Sequence, residues 1–171
     1  QAYDTLILAP GASPLVPPID GANAPGVFTL RSLQDTDRIK QAVDESRTRR
    51  AVVVGAGYIG LEMVEQLVHR GFQVALAELL HHVLPLFDPE MVRPIEEALR
   101  ARGVALYLGD GIDAILTGSD GRARGVRLKS GLELEAELVI LGLGVRPNLG
   151  LARQAGLTIG SGGGIATDEF L

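Results

Sequence analysis

The chain has 171 residues, 46% of them hydrophobic, and a net charge of −5, which suits one domain of ordinary size with a real core and argues against disorder. The acidic balance and the lack of a basic tract exclude nucleic acid as an expected partner. The absence of Cys excludes a disulfide framework, a thiolate metal site and a redox dithiol within this chain, and three His, two of them adjacent, are too few for a metal site.

In chain order, Tyr3-Asp4-Thr5-Leu6-Ile7-Leu8 reads as a short buried strand closed by Ala9-Pro10-Gly11. Pro14, Pro17, Pro18, Gly21 and Pro25 then mark a linker or loop crossing into a new domain. Ser32 or Asp35 can cap a helix that runs to about Glu45. Ala51-Val52-Val53-Val54 is a compact apolar strand. A helix from Gly57 to His69 follows it, with Ile59, Met63, Val64 and Leu67 at helical spacing and Gly71 as its stop.

Gln73 to Glu78 completes a βαβ unit. Asp88 and Pro89 open another helix as N-cap and first helical residue, and it ends at Gly103. Residues 104–108 read as a third parallel strand. Residues 112–116, 123–128 and 132–134 are short, partly alternating and joined by Ser119-Asp120-Gly121 and Lys129-Ser130-Gly131, which predicts an antiparallel meander. Residues 137–142 return as a buried strand, and a glycine-rich loop region ends the chain. The core must be aliphatic, since aromatics make up 4% and Trp is absent, as suits a parallel sheet. The predicted fold class is α/β: a Rossmann-like βαβ parallel sheet with a β-meander crossover.

The strongest local signal is Gly55-Ala56-Gly57-Tyr58-Ile59-Gly60. It follows an apolar strand and opens a helix, which is the context that gives this spacing meaning. Gly55 allows the tight turn, Gly57 lets backbone amides approach a pyrophosphate, and Gly60 lets helix and strand pack closely. The helix N-terminus presents unpaired N–H groups to the phosphates. Glu78 ends the next strand, where a carboxylate accepts hydrogen bonds from an adenosine ribose 2′-OH. A 2′-phosphate there would meet like charge, and Leu79, Leu80, His81 and His82 supply no Arg. NAD(H) is therefore expected over NADP(H). Glu62, placed on the first helical turn, is favoured by the helix dipole. Methyltransferases share the loop-and-acid logic, but their glycine spacing differs and the meander would be unexpected. No Gly-Lys-Ser/Thr follows the glycines, so a P-loop NTPase is excluded.

Gly55-Ala56-Gly57-Tyr58-Ile59-Gly60-Leu61-Glu62 resembles the NAD motif of the pyridine nucleotide-disulfide oxidoreductases, the FAD/NAD-linked reductases. Three further segments agree in order. Residues 3–12 are similar to that family's strand ending in Ala-Thr-Gly, residues 141–148 to its Gly-x-Arg-Pro-Asn segment, and residues 164–169 to the stretch before its last flavin-binding motif. The linker with Gly26-Val27-Phe28-Thr29-Leu30-Arg31 and Asp35 is most like the NADH oxidase and coenzyme A-disulfide reductase branch.

The resemblance implies that Gly55, Gly57, Tyr58, Ile59 and Gly60 hold the pyrophosphate and nicotinamide half. By the same resemblance Tyr58 covers the empty nicotinamide pocket and swings aside for the cofactor, and Glu62 lies near the nicotinamide. Ile112 touches the adenine side, and Gly144 contacts NAD through its backbone. It also implies a parent that passes hydride from NADH to FAD and on to a disulfide, peroxide or oxygen. This chain holds no catalytic residue of its own for that second half and is expected to be inactive alone.

Both ends read as cuts through a longer protein. Residues 1–27 are expected to be a remnant of an FAD domain and linker, 28–146 the NAD(H)-binding domain, and 147–171 the start of a return into the FAD domain. The family's remaining FAD and dimerisation parts are expected outside these ends. The alternatives are the NAD domain of a ferredoxin or rubredoxin reductase and a non-catalytic NAD-binding module. No apolar run approaches the ~20 residues of a membrane span and no signal peptide is visible, so a cytoplasmic protein is expected.

Overall fold

The computed structural model describes residues 2–170, and these divide into two compact units. The larger is Leu15–Gly144. Its centre is β3 (Arg50–Val54), where side chains alternate between two apolar layers. Ala51 and Val53 point into one core with Ile39, Val43, Met63, Val64, Leu67 and Val92. Val52 and Val54 point into a second core with Ile115, Val126 and Leu128. A strand buried on both faces must be apolar at every position, which is why this run contains no polar residue beyond Arg50.

Five strands make the parallel sheet, in the order β2 (Val27–Phe28), β9 (Leu138–Leu141), β3, β4 (Gln73–Glu78) and β5 (Ala105–Leu108). Three helices supply the first core: α1 (Leu33–Glu45), α2 (Tyr58–His69) and α3 (Pro89–Ala101). The other face is covered by an antiparallel meander of β6 (Ile112–Thr117), β7 (Ala123–Leu128) and β8 (Glu133–Glu135). The fold is α/β with a Rossmann-like βαβ sheet, and the meander sits in the crossover between β5 and β9.

Local chemistry sets the element ends. Ser32 caps α1 in a full capping box, its hydroxyl accepting from the Asp35 N–H while the Asp35 carboxylate accepts from the Ser32 N–H at 2.9 Å. These bonds, with the Arg38 guanidinium, hold the Asp35 carboxyl below its ordinary value despite the opposing effect of burial. Asp88 and Pro89 open α3, Pro89 standing where a missing N–H costs nothing. Ahead of β3, Glu137 accepts from the Ser46 hydroxyl at 2.6 Å and from the N–H groups of Arg47 and Thr48 at 3.0 Å. Burial pushes this carboxyl up, but those donors outweigh it and the net shift is downward. The Pro-rich stretch before β2 is no free tether. The Ile115 N–H donates to the Asp20 carbonyl at 2.9 Å and the Ala123 N–H to the Pro25 carbonyl at 2.8 Å, fastening it to the meander.

The smaller unit comprises residues 2–14 and 145–170. In it β1 (Ala12–Pro14) pairs antiparallel with β10 (Val145–Pro147), and a short helix α4 (Gly150–Gln154) follows. Asn148 stitches the pair together. Its amide donates to the Pro10 carbonyl at 3.0 Å, and its carbonyl oxygen accepts from the Ser13 hydroxyl at 2.7 Å. The strand expected over residues 3–8 does not form. A strand needs a neighbour to satisfy its backbone, no described residue pairs with it, and Tyr3, Leu6 and Ile7 stand exposed.

Candidate dinucleotide site

The site lies at the C-terminal ends of three adjacent parallel strands, where ligands bind in open α/β sheets. β3 ends at Val54, β4 at Glu78 and β9 at Leu141. Gly55 donates its N–H to the Ala77 carbonyl at 2.8 Å and Gly142 donates to the Val54 carbonyl at 2.7 Å, so the strand exits are bonded to one another.

The glycines of the loop have separate reasons. Gly55 has φ +100°, which L side chains rarely adopt, and a Cβ there would lie 2.4 Å from the Gly142 carbonyl oxygen. A Cβ on Gly60 would lie 1.9 Å from the Gly55 carbonyl oxygen. Both positions are closed by the protein itself. Gly57 is different: it is the N-cap of α2 at φ −77°, and a Cβ there meets nothing within 4 Å. Fold packing does not explain that glycine, and its bare Cα leaves the backbone there open to close approach. No side chain caps α2, so the leading N–H groups of Tyr58, Ile59 and Gly60 have no acceptor within the helix.

Glu78 is 9% exposed, which is unusual for a carboxylate and requires partners. Its two oxygens have one each: Oε2 accepts from the Ala56 N–H at 2.7 Å, and Oε1 accepts from the Leu80 N–H at 2.9 Å. The acid is therefore bonded to the glycine loop. Each oxygen keeps a second lone pair beyond the one its backbone donor occupies.

The other expected residues fall as follows. Gly144 has φ +88° and open space beside it, at the exit of β9. Ile112 begins β6, directly after a connection that packs on the residues following Glu78. A Cβ on Gly111 would lie 2.8 Å from Leu79, and the Asp110 N–H donates to the Glu78 carbonyl at 3.1 Å. Tyr58 and Ile59 are the first two residues of α2, 63% and 40% exposed. Glu62 corrects the expectation made of it: α2 starts at Tyr58 and has no acid in its first turn, so Glu62 sits one turn too deep for the dipole to favour it. It is exposed and outside the loop.

Two features of the site escape the sequence pattern. Gly142 approaches Gly60 so closely that a Cβ on it would lie 3.2 Å from the Gly60 Cα, closing β9 onto α2. The turn at residues 84–87 is tied to the loop, the Leu84 N–H donating to the Ala56 carbonyl at 2.9 Å.

A groove of about 970 Å³ lies elsewhere on the same unit, between α1 and the β6–β7 turn. Its charged lining is balanced, with Arg38, Arg47 and Arg122 against Glu45, Asp120 and Glu137, so it selects no charge. Among the described residues, no group of three or more acids and histidines could hold a metal, and no helix is long and apolar enough to cross a membrane.

Comparison with known proteins agrees with this geometry. The pyridine nucleotide-disulphide oxidoreductase family matches over residues 1–171. An NADH oxidase of Methanocaldococcus jannaschii is 38% identical over 92% of this chain and 35% of its own length. Among solved structures, an NAD-dependent persulfide reductase from A. fulgidus aligns with a TM-score of 0.93 and 37% identity, over 98% of this chain and 31% of that one. A water-forming NADH oxidase from Lactobacillus brevis, bound to NADH, aligns at 0.89 with 29% identity over 99% of this chain and 37% of that one. Its engineered NADPH oxidase form, bound to NADPH, aligns at 0.88 with 27% identity over 99% of this chain and 37% of that one. The chain spans about a third of the length of these relatives. With the whole chain matched and the loop, the strand order and the meander in place, it belongs to the pyridine nucleotide-disulphide oxidoreductase family.

Proposed function

We propose that Leu15–Gly144 is the NAD(H)-binding domain of a larger FAD-dependent oxidoreductase. The observation that carries this is Gly57, a glycine with open space at its Cβ position, beside uncapped helix N–H groups and a buried acid bonded to the same loop. Gly55, Gly57 and Gly60 would shape the pyrophosphate cradle, with Tyr58 and Ile59 at its helix end. Glu78 would hold the adenosine ribose, Ile112 would lie on the adenine side, and Gly144 would meet the dinucleotide with its backbone. Glu62, exposed on α2, would lie near the nicotinamide. Bound there, the dinucleotide supplies hydride from its nicotinamide. This chain binds, orients and excludes water, while the flavin and the residues that pass electrons to a disulfide, peroxide or oxygen lie in the rest of the parent, with its FAD and dimerisation domains.

A preference for NADH over NADPH follows from Glu78. A 2′-phosphate would face a carboxylate held in place by two backbone donors. The engineered NADPH-bound relative supports this. Its substitutions remove an acid, place Arg at the next residue and at a proline further on, and also change a glycine ahead of the acid and a methionine after it. Gly60, Glu78, Leu79, Leu80 and Pro85 stand at the same relative spacing here, with the acid present and no Arg among them.

Calorimetric titration of the chain with NADH and NADPH tests both parts. NADH should bind at least about tenfold more tightly, roughly one charge-assisted contact's worth, and Glu78→Arg should narrow or invert the ratio. Tighter binding of NADPH by the wild type would overturn the preference, and binding of neither by the chain or its flavin-loaded parent would overturn the domain assignment.

A further inference from the structure

The glycine that opens the loop also leaves a peptide unit free to turn over. Gly57 has open space at its Cβ position, and glycine populates both signs of φ at similar cost. The unit between Ala56 and Gly57 can therefore rotate as a whole, exchanging the directions of the Ala56 carbonyl and the Gly57 N–H. The exchange reverses the charge shown to a ligand, since an N–H attracts a phosphate and a carbonyl oxygen repels it. In the structure Ala56 is bonded on both sides. Its N–H donates to Glu78 at 2.7 Å, and its carbonyl accepts from the Leu84 N–H at 2.9 Å. That peptide is trans, so the Gly57 N–H points away from Leu84. The Gly57 N–H has no acceptor among the described residues.

Leu84 makes its bond from an unfavourable backbone, φ +48°, one of two non-glycine residues with positive φ among the described residues. A leucine stays there only where its surroundings over-determine it. Its own side chain packs on the helix-side core. The residue before it, Val83, is fully buried, and the Val83 N–H donates to the Glu96 carboxylate at 3.2 Å. Glu96 stands on α3 with its side chain 13% exposed, and its other oxygen accepts from the Arg100 guanidinium at 3.3 Å. A line of bonded groups thus runs from α3 through Val83 and Leu84 to the carbonyl of Ala56, although Glu96 is in none of the segments that carry the nucleotide-binding pattern.

We propose that Glu96 is a positioning residue for the pyrophosphate: by holding Val83 it keeps the Leu84 N–H on the Ala56 carbonyl, which fixes the Gly57 N–H as a phosphate donor. This rests on the dinucleotide reading above. Without the Glu96 carboxylate the Val83 N–H loses its acceptor, Leu84 is free to relax to negative φ, and the Ala56–Gly57 peptide turns over part of the time. The ligand must then select the correct orientation on binding. The loss falls on ligands that carry a diphosphate and spares adenosine.

Titration of the ¹⁵N-labelled chain with ADP-ribose and with adenosine, followed by amide NMR, tests this. In the wild type the Gly57 amide signal should move on saturation with ADP-ribose and stay in place with adenosine. Glu96→Ala should weaken ADP-ribose by about three- to tenfold, the worth of one backbone hydrogen bond, and leave adenosine within twofold. Glu96→Gln, which keeps an acceptor oxygen for the Val83 N–H, should restore ADP-ribose to within twofold of wild type. If Glu96→Ala does not fold, Glu96→Asp, one methylene shorter, should show the same selective loss. A merely structural role would weaken both ligands together. Equal weakening, no change in either, or a Gly57 signal that stays in place while the wild type binds ADP-ribose overturns the proposal and leaves the dinucleotide reading standing. If the wild type binds neither ligand, the reading falls and the proposal with it.

Discussion

Replacing Glu78 with glutamine changes one heavy atom and leaves the side chain's volume almost the same, yet it should cost nearly as much as alanine. Both partners of the carboxylate are backbone donors, Ala56 N–H at 2.7 Å and Leu80 N–H at 2.9 Å. Glutamine offers one acceptor oxygen, so its NH₂ must face one of those N–H groups. A hydrogen bond to a charged group contributes about 1.5–3 kcal/mol, and a buried unsatisfied donor costs about 1–3 kcal/mol. Losing one such bond and weakening the other comes to about 2–3 kcal/mol. For a chain of this size that is a fall in Tm of about 5–10 °C. Urea denaturation of wild type, Glu78→Gln and Glu78→Ala at pH 7 would measure it. A solvated strand-end acid would give changes within about 0.5 kcal/mol for both variants. If Glu78→Gln lies that close to wild type, the carboxylate is not organising the loop, and the reasoning from its burial is wrong.

The two outer glycines of Gly55-Ala56-Gly57-Tyr58-Ile59-Gly60 and the central one should respond oppositely. Gly57→Ala meets no protein atom and should cost at most about 1 kcal/mol as a poorer N-cap, while NADH binding by calorimetry falls more than about tenfold. Gly60→Ala would place a Cβ 1.9 Å from the Gly55 oxygen, so the loop must shift, with a stability loss of about 1–3 kcal/mol by denaturation. Glu137 carries a pH signature. Its folded value lies below the ordinary 4.5, so its contribution is present above that pH and is lost as pH falls through the folded value. Glu137→Gln should cost about 1 kcal/mol at pH 7, and the gap to wild type, read from denaturation midpoints, should close on acidification.

The legible parts of this chain were those decided within a few residues. The run 51–54, the three glycines and the acid closing the next strand all declare themselves by spacing, and the Ser32 capping box and the Asp88-Pro89 helix start are equally local. The meander was readable from its turns. What was not readable depends on tertiary neighbours. Tyr3 to Leu8 has a strand's composition but no described strand to pair with. Glu62 is the fifth residue of α2, just past the first turn where the helix dipole favours an acid, and an offset that small is easily misplaced without the helix start in hand. The bonds of Glu78 to Ala56 and Leu80, the closure of Gly142 on Gly60, and the Phe87–Tyr58 pair each join segments brought together by the fold. Leu84 in particular precedes a proline and carries no mark of the left-handed backbone it adopts.

The unit Leu15–Gly144 begins and ends at a single hydrogen bond, the Leu15 N–H donating to the Gly144 carbonyl at 2.9 Å. On either side of that point Pro14 stands opposite Val145, the last rung of the β1–β10 pair. In chain order β1 comes directly before the unit and β10 directly after it. A long flexible insert would burden such a pair of strands with loop-closure entropy, but an insert whose own ends are pinned together imposes almost none. In sequence the unit is thus an insert that holds its own two ends together, and the residues before and after it need no long closure of their own to pair.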